Sequence, residues 1–490
     1  MANPGYNSAF LRLSGVYFLK ICRGFPRQAR RPPITNAGDL VLSNFANKRV
    51  LLLQGPMGPF FWRLRKDLEA AGAHVDKINF CAGDQLFYPR DALRFRGTLE
   101  EWPQFLFNRL SAEHYDAVML FGDCRLYHRV VPHVLAYVGA RLYVFEEGYL
   151  RPDFITIEPD GVNDFSTMPR DPAFYRHAAL PPETQLPETK KAPHPFFWSA
   201  VYAIAFAIVN SAFAWTFPRY QHHRPLNPIY QGFVWIRSAL RKTWFGLRER
   251  KLLPRLVATQ SRRYFLVPLQ VYYDSQVVVH SDFTAIPDFL DQVLGSFSQY
   301  ADPDDLLVVK HHPADRGHTC YRAALKRLSH RHGLVGRVLY VHDLHLPTLL
   351  DHARGTVVIN STVGLSSILH QTPVVTLGNP VYNIPGLTYQ GGLDHFWRDP
   401  GAVDSALFKR YRAWLIAHNQ ANGSFHQRLA GETSHTGIVW PAWLGTAMGE
   451  PLRAKTKRRL ASIGPHAPLP ANDFGPVLAP ETAGQARKAG

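Results

Sequence analysis

The chain has few cysteines, and none of them is arranged like a metal ligand or a redox pair. Its four cysteines are scattered without a CxxC spacing: Cys22, Cys81, Cys124 and Cys320. This pattern indicates neither a disulfide framework nor a zinc site, and it favours a reducing, cytoplasmic compartment. The chain also lacks a Walker A loop, a GxGxxG motif and an HExxH motif. The commonest ATPase, dinucleotide-binding and metalloprotease functions are therefore excluded, and no metal site is predicted.

Acidic residues are also scarce. The chain has 38 Asp and Glu against 55 Lys and Arg, which gives a formal net charge of +17. Such an excess points to an anionic partner, and the charge alone leaves nucleic acid, a membrane surface or an acidic sugar open. No nucleic-acid recognition module is present, so nucleic acid is not a predicted partner. The apolar residues 16–19 are followed by Lys20 and Arg23, and no cleaved signal peptide is expected.

One long segment, 196–217, contains no charged residue. It is long enough to span a membrane, and Trp198 and Trp215 lie near its ends, as interfacial anchors do. Three structures fit it: a helix packed between domains, a helix lying in the membrane interface, and a membrane span. A single span would separate polar motifs of the two halves of the chain that are expected to share a cleft. The sequence therefore favours a packed or interfacial helix.

Two stretches of the chain alternate short apolar runs with amphipathic segments, first from about 50 to 145 and again from about 265 to 377. Apolar runs rich in β-branched and aromatic residues suit parallel strands that are covered on both faces. The pattern predicts two Rossmann-like α/β domains facing a cleft. Five segments result: a basic N-terminal extension, 1–47; a Rossmann-like domain, 48–180; a helical insertion rich in basic and aromatic residues, 181–260; a nucleotide-binding Rossmann-like domain, 261–450; and a disordered basic tail rich in Pro, Ala and Gly, 451–490.

Polar residues follow the apolar runs of the first predicted domain. Gln54, Gly55 and Pro56 form a turn after the first run, where glycine allows a ligand to approach the backbone or simply relieves a steric clash. Glu146 and Glu147 follow a later run. Alternation along a strand aims their side chains in different directions, so one of them can face the cleft as a general acid or base. A solvated acidic turn, or an ion pair with Arg151, is the structural alternative.

The second predicted domain carries three further motifs at the ends of its strands. The first is Lys310-His311-His312-Pro313, whose fixed positive charge and imidazoles suit a phosphate. The second is Asn360-Ser361-Thr362, which can bind an anion or serve as an ordinary helix N-cap. The third is a carboxylate, Asp274, after the first strand of this domain. It can attack an anomeric carbon or cap a loop.

The ordered set of motifs resembles the capsule polysaccharide biosynthesis proteins of Gram-negative bacteria, and within them the KpsS type. The resemblance covers about residues 48–420. Its motifs are, in chain order, Leu-Leu-Leu-Gln-Gly-Pro-Met-Gly-Pro-Phe-Phe from Leu51, Phe-Gly-Asp-Cys-Arg from Phe121, Glu-Glu-Gly-Tyr-Leu-Arg-Pro from Glu146, Phe-Pro-Arg-Tyr-Gln-His-His from Phe217, Leu-Gln-Val-Tyr-Tyr-Asp-Ser-Gln from Leu269, Lys-His-His-Pro-Ala-Asp-Arg-Gly-His from Lys310, Tyr-Val-His-Asp-Leu from Tyr340, Asn-Ser-Thr from Asn360 and Gly-Leu-Thr-Tyr-Gln-Gly from Gly386.

This resemblance implies a glycosyltransferase of the GT-B architecture. The implied reaction moves the first Kdo, an eight-carbon acidic sugar, from CMP-β-Kdo to lyso-phosphatidylglycerol and so begins the poly-Kdo linker of the capsule. No cofactor is implied beyond this donor substrate. The implied partners are the anionic phospholipid acceptor, the inner-membrane surface, a KpsC-type transferase that extends the linker, and the capsule export machinery. The implied location is cytoplasmic, at the periphery of the inner membrane.

The resemblance also implies roles for the motif residues. Retention of configuration implies a covalent sugar–enzyme intermediate, with Asp274 as nucleophile and Glu147 as acid/base, although Glu146 is not separable from Glu147 by sequence. A likeness to bacterial sialyltransferases assigns the CMP phosphate and neighbouring groups to Lys310, His312, Ser361 and Thr362, with Pro313 and Asn360 in the same motifs. Two other functions stay open: a non-enzymatic capsule export factor, and a transferase that uses CMP-sialic acid.

Overall fold

A computed structural model describes residues 41–180, 188–192, 195–222, 228–272, 277 and 281–445. The described residues form two β-sheets, one of seven strands and one of five, each with helices packed against it. The predicted N-terminal extension, except residues 41–47, and the predicted tail lie outside the described residues, and so do several positions of the insertion.

The first sheet contains a parallel core of five strands that is extended by two antiparallel ones. The strands are β1 (Arg49–Leu52), β2 (His74–Asn79), β3 (Leu93–Arg94), β4 (Ala117–Phe121), β5 (Arg141–Glu147), β6 (Phe154–Pro159) and β12 (Gln420–Asn422). Their order is β12-β6-β5-β4-β1-β2-β3, and β6 is antiparallel to both of its neighbours. The helices of this part are α1 (Phe60–Ala70), α2 (Ala82–Phe87), α3 (Trp102–Glu113), α4 (Val131–Val138) and α5 (Pro172–His177).

The second sheet is entirely parallel. Its strands are β7 (Tyr264–Pro268), β8 (Leu306–Lys310), β9 (Val338–Val341), β10 (Gly355–Val358) and β11 (Val374–Thr376), in the order β11-β10-β7-β8-β9. The helices α9 (Ile286–Tyr300), α10 (Arg322–Arg331), α11 (Leu346–His352), α12 (Val363–Leu369), α13 (Leu393–Phe396) and α14 (Ser405–His418) follow in the chain. The expected α/β fold class with two Rossmann-like units, the GT-B architecture, is confirmed.

The strands form where the sequence is continuously apolar because both faces of each sheet are covered. Strand β4 is buried at every position, and so is β7. Separate apolar clusters lie on the two faces of each sheet, and a fifth cluster joins residues from both parts of the chain, among them Tyr149, Tyr175, Val358 and Tyr411. This last cluster holds the two sheets next to each other.

The predicted boundary of the second domain is wrong at its end. Residues from Gln420 onward, assigned by sequence to the domain 261–450, return to the first sheet, where β12 pairs with β6. Phe425, Ile438 and Trp440 lie in the core beneath the first sheet. The cause is a contact between distant parts of the chain. Without β12, the outer edge of β6 would have unpaired backbone groups, and such an edge favours pairing with another strand.

The insertion is helical, as predicted, and it contacts both parts of the molecule. Its helices are α6 (Pro195–Ala212), α7 (Pro228–Glu249) and α8 (Leu252–Gln260). Phe206 of α6 is buried against Gly83 of α2, whereas Val234 of α7 is buried next to Gly317 of the second domain. None of the helices in the described part of the chain combines the length and the apolar character needed to cross a bilayer.

Candidate active site

Strand β5 continues two residues past the apolar run that predicted it, 142–145, so the paired glutamates lie on its last two positions. Glu146 is opposite Thr156 and Glu147 is opposite Ile155 in the antiparallel ladder with β6, a strand that the sequence analysis did not foresee. Because neighbouring side chains of a strand point to opposite faces, the two carboxylates have different surroundings. Arg151 makes a hydrogen bond to the carbonyl oxygen of Gly148 at 3.1 Å.

The Glu146 carboxylate lies where three strands of the first sheet end. Its Oε1 accepts a hydrogen bond from the backbone N–H of Glu147 at 2.9 Å. Its Oε2 lies next to Gly122, which follows β4: a β-carbon added to Gly122 would be 3.4 Å from this oxygen. Arg125 links this point to the end of β1 by donating to the carbonyl oxygen of Gly55 at 3.2 Å. The ends of β1, β4 and β5 therefore form one polar edge.

Burial raises the pKa of Glu146 to about 7, and the negative charge of Glu147 adds to this effect. The backbone hydrogen bond from Glu147 and the positive charge of Arg125 act in the opposite direction. A carboxyl group with a pKa near neutrality is suited to general acid or base catalysis, because both protonation states are populated at working pH.

Glu147 occupies a more open position. Its side chain is 44% exposed, and its Oε1 lies 4.0 Å from Nε2 of His426. Burial lowers the pKa of His426, while the charge of Glu147 opposes this shift. His426 belongs to the returning segment after β12, and nothing in its local sequence indicated that it would lie here.

Gln54 does not present its amide to the cleft. It is buried, and its Nε2 donates to Asp84 Oδ1 at 3.0 Å and to the hydroxyl oxygen of Tyr220 at 3.1 Å. Asp84 belongs to α2 and Tyr220 to the insertion. The amide therefore joins the end of β1 to two other segments, which is a structural role.

Gly55 has a steric reason to be glycine. A β-carbon at this position would lie 2.7 Å from Cγ of Phe61 in α1, closer than packed side chains approach each other. Pro56 follows it and is buried. Of the two explanations that the sequence left open for this turn, the steric one is confirmed, while the Gly55 carbonyl oxygen still contributes to the polar edge through Arg125.

In the second domain, Lys310 is the last residue of β8 rather than the first residue after it. Its buried ammonium group donates to the carbonyl oxygen of His342 at 3.2 Å. Burial lowers the pKa of Lys310, and the nearby Asp343 carboxylate opposes this shift. Arg316, also buried, forms an ion pair with Asp343. Two cations and one carboxylate thus lie together where β8 and β9 end.

The two histidines after Lys310 differ. His311 is buried, its Nδ1 lies 2.7 Å from the hydroxyl oxygen of Tyr340, and burial together with the nearby His342 lowers its pKa to about 3. His312 is only half-buried, and its Nδ1 accepts a hydrogen bond from the backbone N–H of Ala314 at 3.2 Å. Pro313 begins the short 3-10 turn that this bond caps. Of the two imidazoles, that of His312 is nearer to solvent.

The Asn360 motif follows β10 and begins α12. Asn360 is buried and accepts a hydrogen bond from Nε2 of Gln270 at 3.0 Å, so the ends of β10 and β7 are tied together. Ser361 Oγ accepts a hydrogen bond from the backbone N–H of Val363 at 3.2 Å. This bond closes a turn just before α12, whose N-cap residue, Thr362, makes no capping hydrogen bond with its own side chain.

A small pocket lies where the two parts of the molecule meet. Thr362 and Asn360 line it from the second sheet, and residues of the first part line it from the other side: Tyr149, Asn163 and Asp164. Asn379, Pro380, Val381 and Tyr382 complete it. The Asn360 motif and the segment just after Glu146 therefore border one space.

The Lys310 and Asn360 motifs lie at one edge of the second sheet but are not adjacent. Strand β7 runs between β8 and β10, so the two motifs are separated by two strand spacings, roughly 10 Å. Gln270 marks the end of β7 between them. Asp274, the predicted nucleophile, lies outside the described residues.

The sequence analysis did not name three residues that lie near the strand ends of the two sheets: Arg125, Arg316 and His426. Arg125 and Arg316 stand in short motifs that follow strands β4 and β8, so a signal for them was available. His426 carried no such signal. Among the described ranges, no group of three or more His, Cys, Asp or Glu side chains is arranged to hold a metal ion.

The sequence model of a family described as "Capsule polysaccharide biosynthesis protein" matches residues 116–426, which include the ends of β4, β5, β8 and β10. The chain belongs to this family. It is 40% identical to the "Capsule polysaccharide export protein KpsS" of Escherichia coli over 79% of this chain and 100% of that protein. It is also 40% identical to the "Capsule polysaccharide modification protein LipB" of Neisseria meningitidis serogroup A, over 78% of this chain and 92% of that protein.

Solved structures of low sequence identity also align with this member of the capsule family. The KpsC protein of Thermosulfurimonas dismutans, described as a beta Kdo 2,7 transferase, is 14% identical with a TM-score of 0.34, over 75% of this chain and 89% of that chain. A glycosyltransferase from Rickettsia africae is 9% identical with a TM-score of 0.31, over 76% and 93% of the two chains. The family assignment rests on the sequence matches.

Proposed function

We propose that this protein is a retaining β-Kdo glycosyltransferase that moves the first Kdo from CMP-β-Kdo to lyso-phosphatidylglycerol and so initiates the poly-Kdo linker of a capsule. Two observations carry the proposal. Burial raises the pKa of the Glu146 carboxyl group to about 7, and the segment that follows Glu146 borders one pocket with the Asn360 motif of the second sheet. Membership of the capsule polysaccharide biosynthesis family supports it.

The second sheet would hold the donor. Lys310 and the half-buried His312 would supply positive charge and hydrogen-bond donors for the CMP phosphate. The hydroxyl of Thr362, with Ser361 and Asn360 in the same motif, would hold neighbouring groups of the donor. Burial lowers the pKa of Lys310. The negative charge of a bound phosphate would raise that pKa again and so favour the charged ammonium form. Fixed donors of this kind stabilise the negative charge that develops on a departing CMP.

Two successive displacements account for retention. The carboxylate of Asp274 would attack the anomeric carbon of Kdo as the bond to the CMP phosphate oxygen breaks, which leaves a glycosyl ester and CMP. Glu146 would then accept the proton of the acceptor hydroxyl while the hydroxyl oxygen attacks the anomeric carbon and frees Asp274. We assign this second role to Glu146 because burial raises its pKa to about 7, whereas the side chain of Glu147 is 44% exposed.

The proposed setting is the cytoplasmic face of the inner membrane, beside a KpsC-type transferase that lengthens the linker and the capsule export machinery. Donor, sugar and lipid acceptor are all anionic, and the formal net charge of +17 would concentrate them at the protein. The described part of the chain contains one pair of Rossmann-like units, which fits an enzyme that adds one sugar residue.

A capsule export factor without catalytic activity is the second candidate, favoured by the description "export protein" that the Escherichia coli relative carries. It predicts binding of a lipid-linked glycan without consumption of CMP-Kdo. A third candidate, a transferase that uses CMP-sialic acid, predicts that this donor competes with CMP-Kdo.

The test is to incubate the full chain with CMP-Kdo, generated in situ, and a fluorescent lyso-phosphatidylglycerol, and to look by mass spectrometry for the addition of one Kdo. The Asp274→Asn variant, with an unchanged circular dichroism spectrum, is expected to give no product. A wild-type protein that is folded, supplied with active donor and still forms no product would favour the export factor. A product with Asp274→Asn at a near-normal rate would refute the nucleophile assignment but not the activity.

A further inference from the structure

Helix α7 has one face that packs against the rest of the described chain and a second face that is apolar and exposed. Val234, Ser238, Arg241, Phe245 and Glu249 recur at spacings of three and four, so they share one face of the helix. Three of these residues are buried: Val234, Phe245 and Glu249. This face packs on the second domain, as the amphipathic pattern of a surface helix requires.

The packed face is tied to the strand ends of the candidate active site. Phe245 stacks on the ring of His342 with centroids 3.5 Å apart. Glu249 accepts hydrogen bonds from the backbone N–H groups of His342 at 2.9 Å and Asp343 at 3.1 Å. His342 is the residue whose carbonyl oxygen accepts from Lys310. The helix is therefore seated directly behind the predicted phosphate-binding edge.

The second face carries a stripe of Phe233, Ile236, Leu240, Trp244 and Leu247, which again recur at spacings of three and four. All five are exposed, with Phe233 at 69%, Leu240 at 68% and Trp244 at 61%. Single exposed apolar side chains are ordinary, but a continuous row of large ones marks an interaction surface. The neighbouring helix α6 contacts α7 and also exposes large apolar side chains, among them Phe197 and Ile208.

The charge around this stripe identifies its partner. Between Glu188 and Glu249 the chain contains no acidic residue, and every charged side chain there is Lys or Arg. On α7, Arg237 and Arg248 are exposed and lie beside the stripe by the helical repeat. Apolar and aromatic residues flanked by cations are typical of helices that lie in the interface of an anionic bilayer. A protein partner with an acidic, aliphatic groove would need the same pattern but would leave Trp244 without the interfacial position that tryptophan prefers.

We propose that the stripe of Phe233, Ile236, Leu240, Trp244 and Leu247 on α7 is the surface with which this protein docks on an anionic phospholipid bilayer. This inference rests on the proposed function, because it identifies how an enzyme with a lipid acceptor reaches it. The opposite face of the same helix contacts the ends of β8 and β9, so docking brings the cleft to the level of the lipid headgroups. The occupant is the bilayer and not a second copy of the chain.

The test measures partition of the full chain onto large vesicles by sedimentation, with phosphatidylcholine alone and with added phosphatidylglycerol. The variant Leu240→Ser/Trp244→Ser is expected to lower partition onto phosphatidylglycerol vesicles at least tenfold. A matched control, Val335→Ser/Leu369→Ser, removes exposed apolar side chains elsewhere on the second domain and is expected to change partition less than twofold. The variant Arg237→Gln/Arg248→Gln is expected to reduce the preference for phosphatidylglycerol over phosphatidylcholine.

Equal partition of the stripe variant and its control would overturn the proposal. A stripe variant that changes the sedimentation velocity of the lipid-free protein from dimer to monomer, with unaltered vesicle partition, would instead assign the surface to self-association. The vesicle measurement contains no donor or acceptor, so it stands whether or not the transferase activity is found. If that activity is found, the stripe variant is expected to retain it on a short-chain acceptor that is soluble in water.

Discussion

At the scale of single residues, Glu146 and Glu147 show how neighbours on one strand acquire different chemistry. They are adjacent and chemically identical, yet burial raises the pKa of Glu146 to about 7, while the Glu147 side chain is 44% exposed. The cause is the alternation of side chains along β5 combined with β6, which pairs with both positions. Strand geometry thus separates a candidate catalytic group from a solvated one.

The pH dependence of the proposed reaction follows from this shift. A pKa raised to about 7 means that Glu146 is protonated below pH 7 and ionised above it, and a general base must be ionised. We expect kcat/KM for the acceptor to rise with pH through about 7. Glu146→Gln is expected to lower the rate by about 10² to 10⁴ and to remove this rise. Steady-state kinetics between pH 5.5 and 8.5 measures both effects.

Glu147→Gln is the matched control because it makes the same change one position along the strand. It is expected to lower the rate by less than about tenfold and to keep the rise with pH, but to move that rise to lower pH, because the charge of Glu147 is one of the effects that raise the pKa of Glu146. A flat profile in Glu147→Gln, with a normal profile in Glu146→Gln, would reverse the assignment.

At the scale of secondary-structure elements, one side chain of strand β12 connects it to the segment after β5. Gln420 is buried, and its Oε1 accepts hydrogen bonds from the backbone N–H groups of Tyr149 at 2.8 Å and Leu150 at 3.2 Å. Its Nε2 donates to Thr156 Oγ1 at 2.9 Å. The amide therefore holds the segment after β5, which lines the interdomain pocket, to a strand near the other end of the chain.

We expect Gln420→Ala to lower the free energy of unfolding by about 2 to 4 kcal/mol, because it leaves buried N–H groups without an acceptor. Urea denaturation followed by tryptophan fluorescence measures the loss. The control Gln299→Ala, at an exposed position of α9, is expected to change stability by less than about 0.5 kcal/mol. Equal stability of the two variants would show that the amide is replaceable by water.

At the scale of the whole molecule, the first domain is built from two distant parts of the chain. Its core includes Phe425, Ile438, Trp440 and Leu444 together with residues of the first strands and α1. Each large apolar side chain of this kind contributes about 1.5 to 3 kcal/mol when buried, and whole domains are stable by only about 5 to 15 kcal/mol. The first domain should therefore not fold without the returning segment.

Truncation tests this dependence. A chain that ends at His418 loses β12 and the core residues after it, and we expect it to be insoluble or rapidly degraded in limited proteolysis. A chain that ends at Gly445 keeps these contacts and is expected to resist proteolysis like the full-length protein. Equal resistance of both truncated chains would mean that the first domain is complete without its returning segment.

Much of the fold was predictable because it depends on short stretches of contiguous residues. The apolar runs between about 50 and 145 and between about 265 and 377 correspond to the strands β1, β2, β4 and β5 and to all five strands of the second sheet. The strands β3, β6 and β12 were missed, since they are short or carry a mixed pattern such as Phe154–Pro159. The motifs at the strand ends were predictable for the same local reason.

Local sequence patterns were enough to predict the α/β class, the two Rossmann-like units, the helical insertion and the polar motifs where strands end. Long-range packing was needed to show that Gln54 has a structural role, that Glu146 is buried with a pKa near 7 while Glu147 is exposed, and that residues from Gln420 onward complete the first sheet. The physical reason is distance along the chain: strand and helix patterns repeat within a few residues, whereas the bond between Gln420 and Tyr149 joins residues 271 positions apart. No local pattern records such a partner.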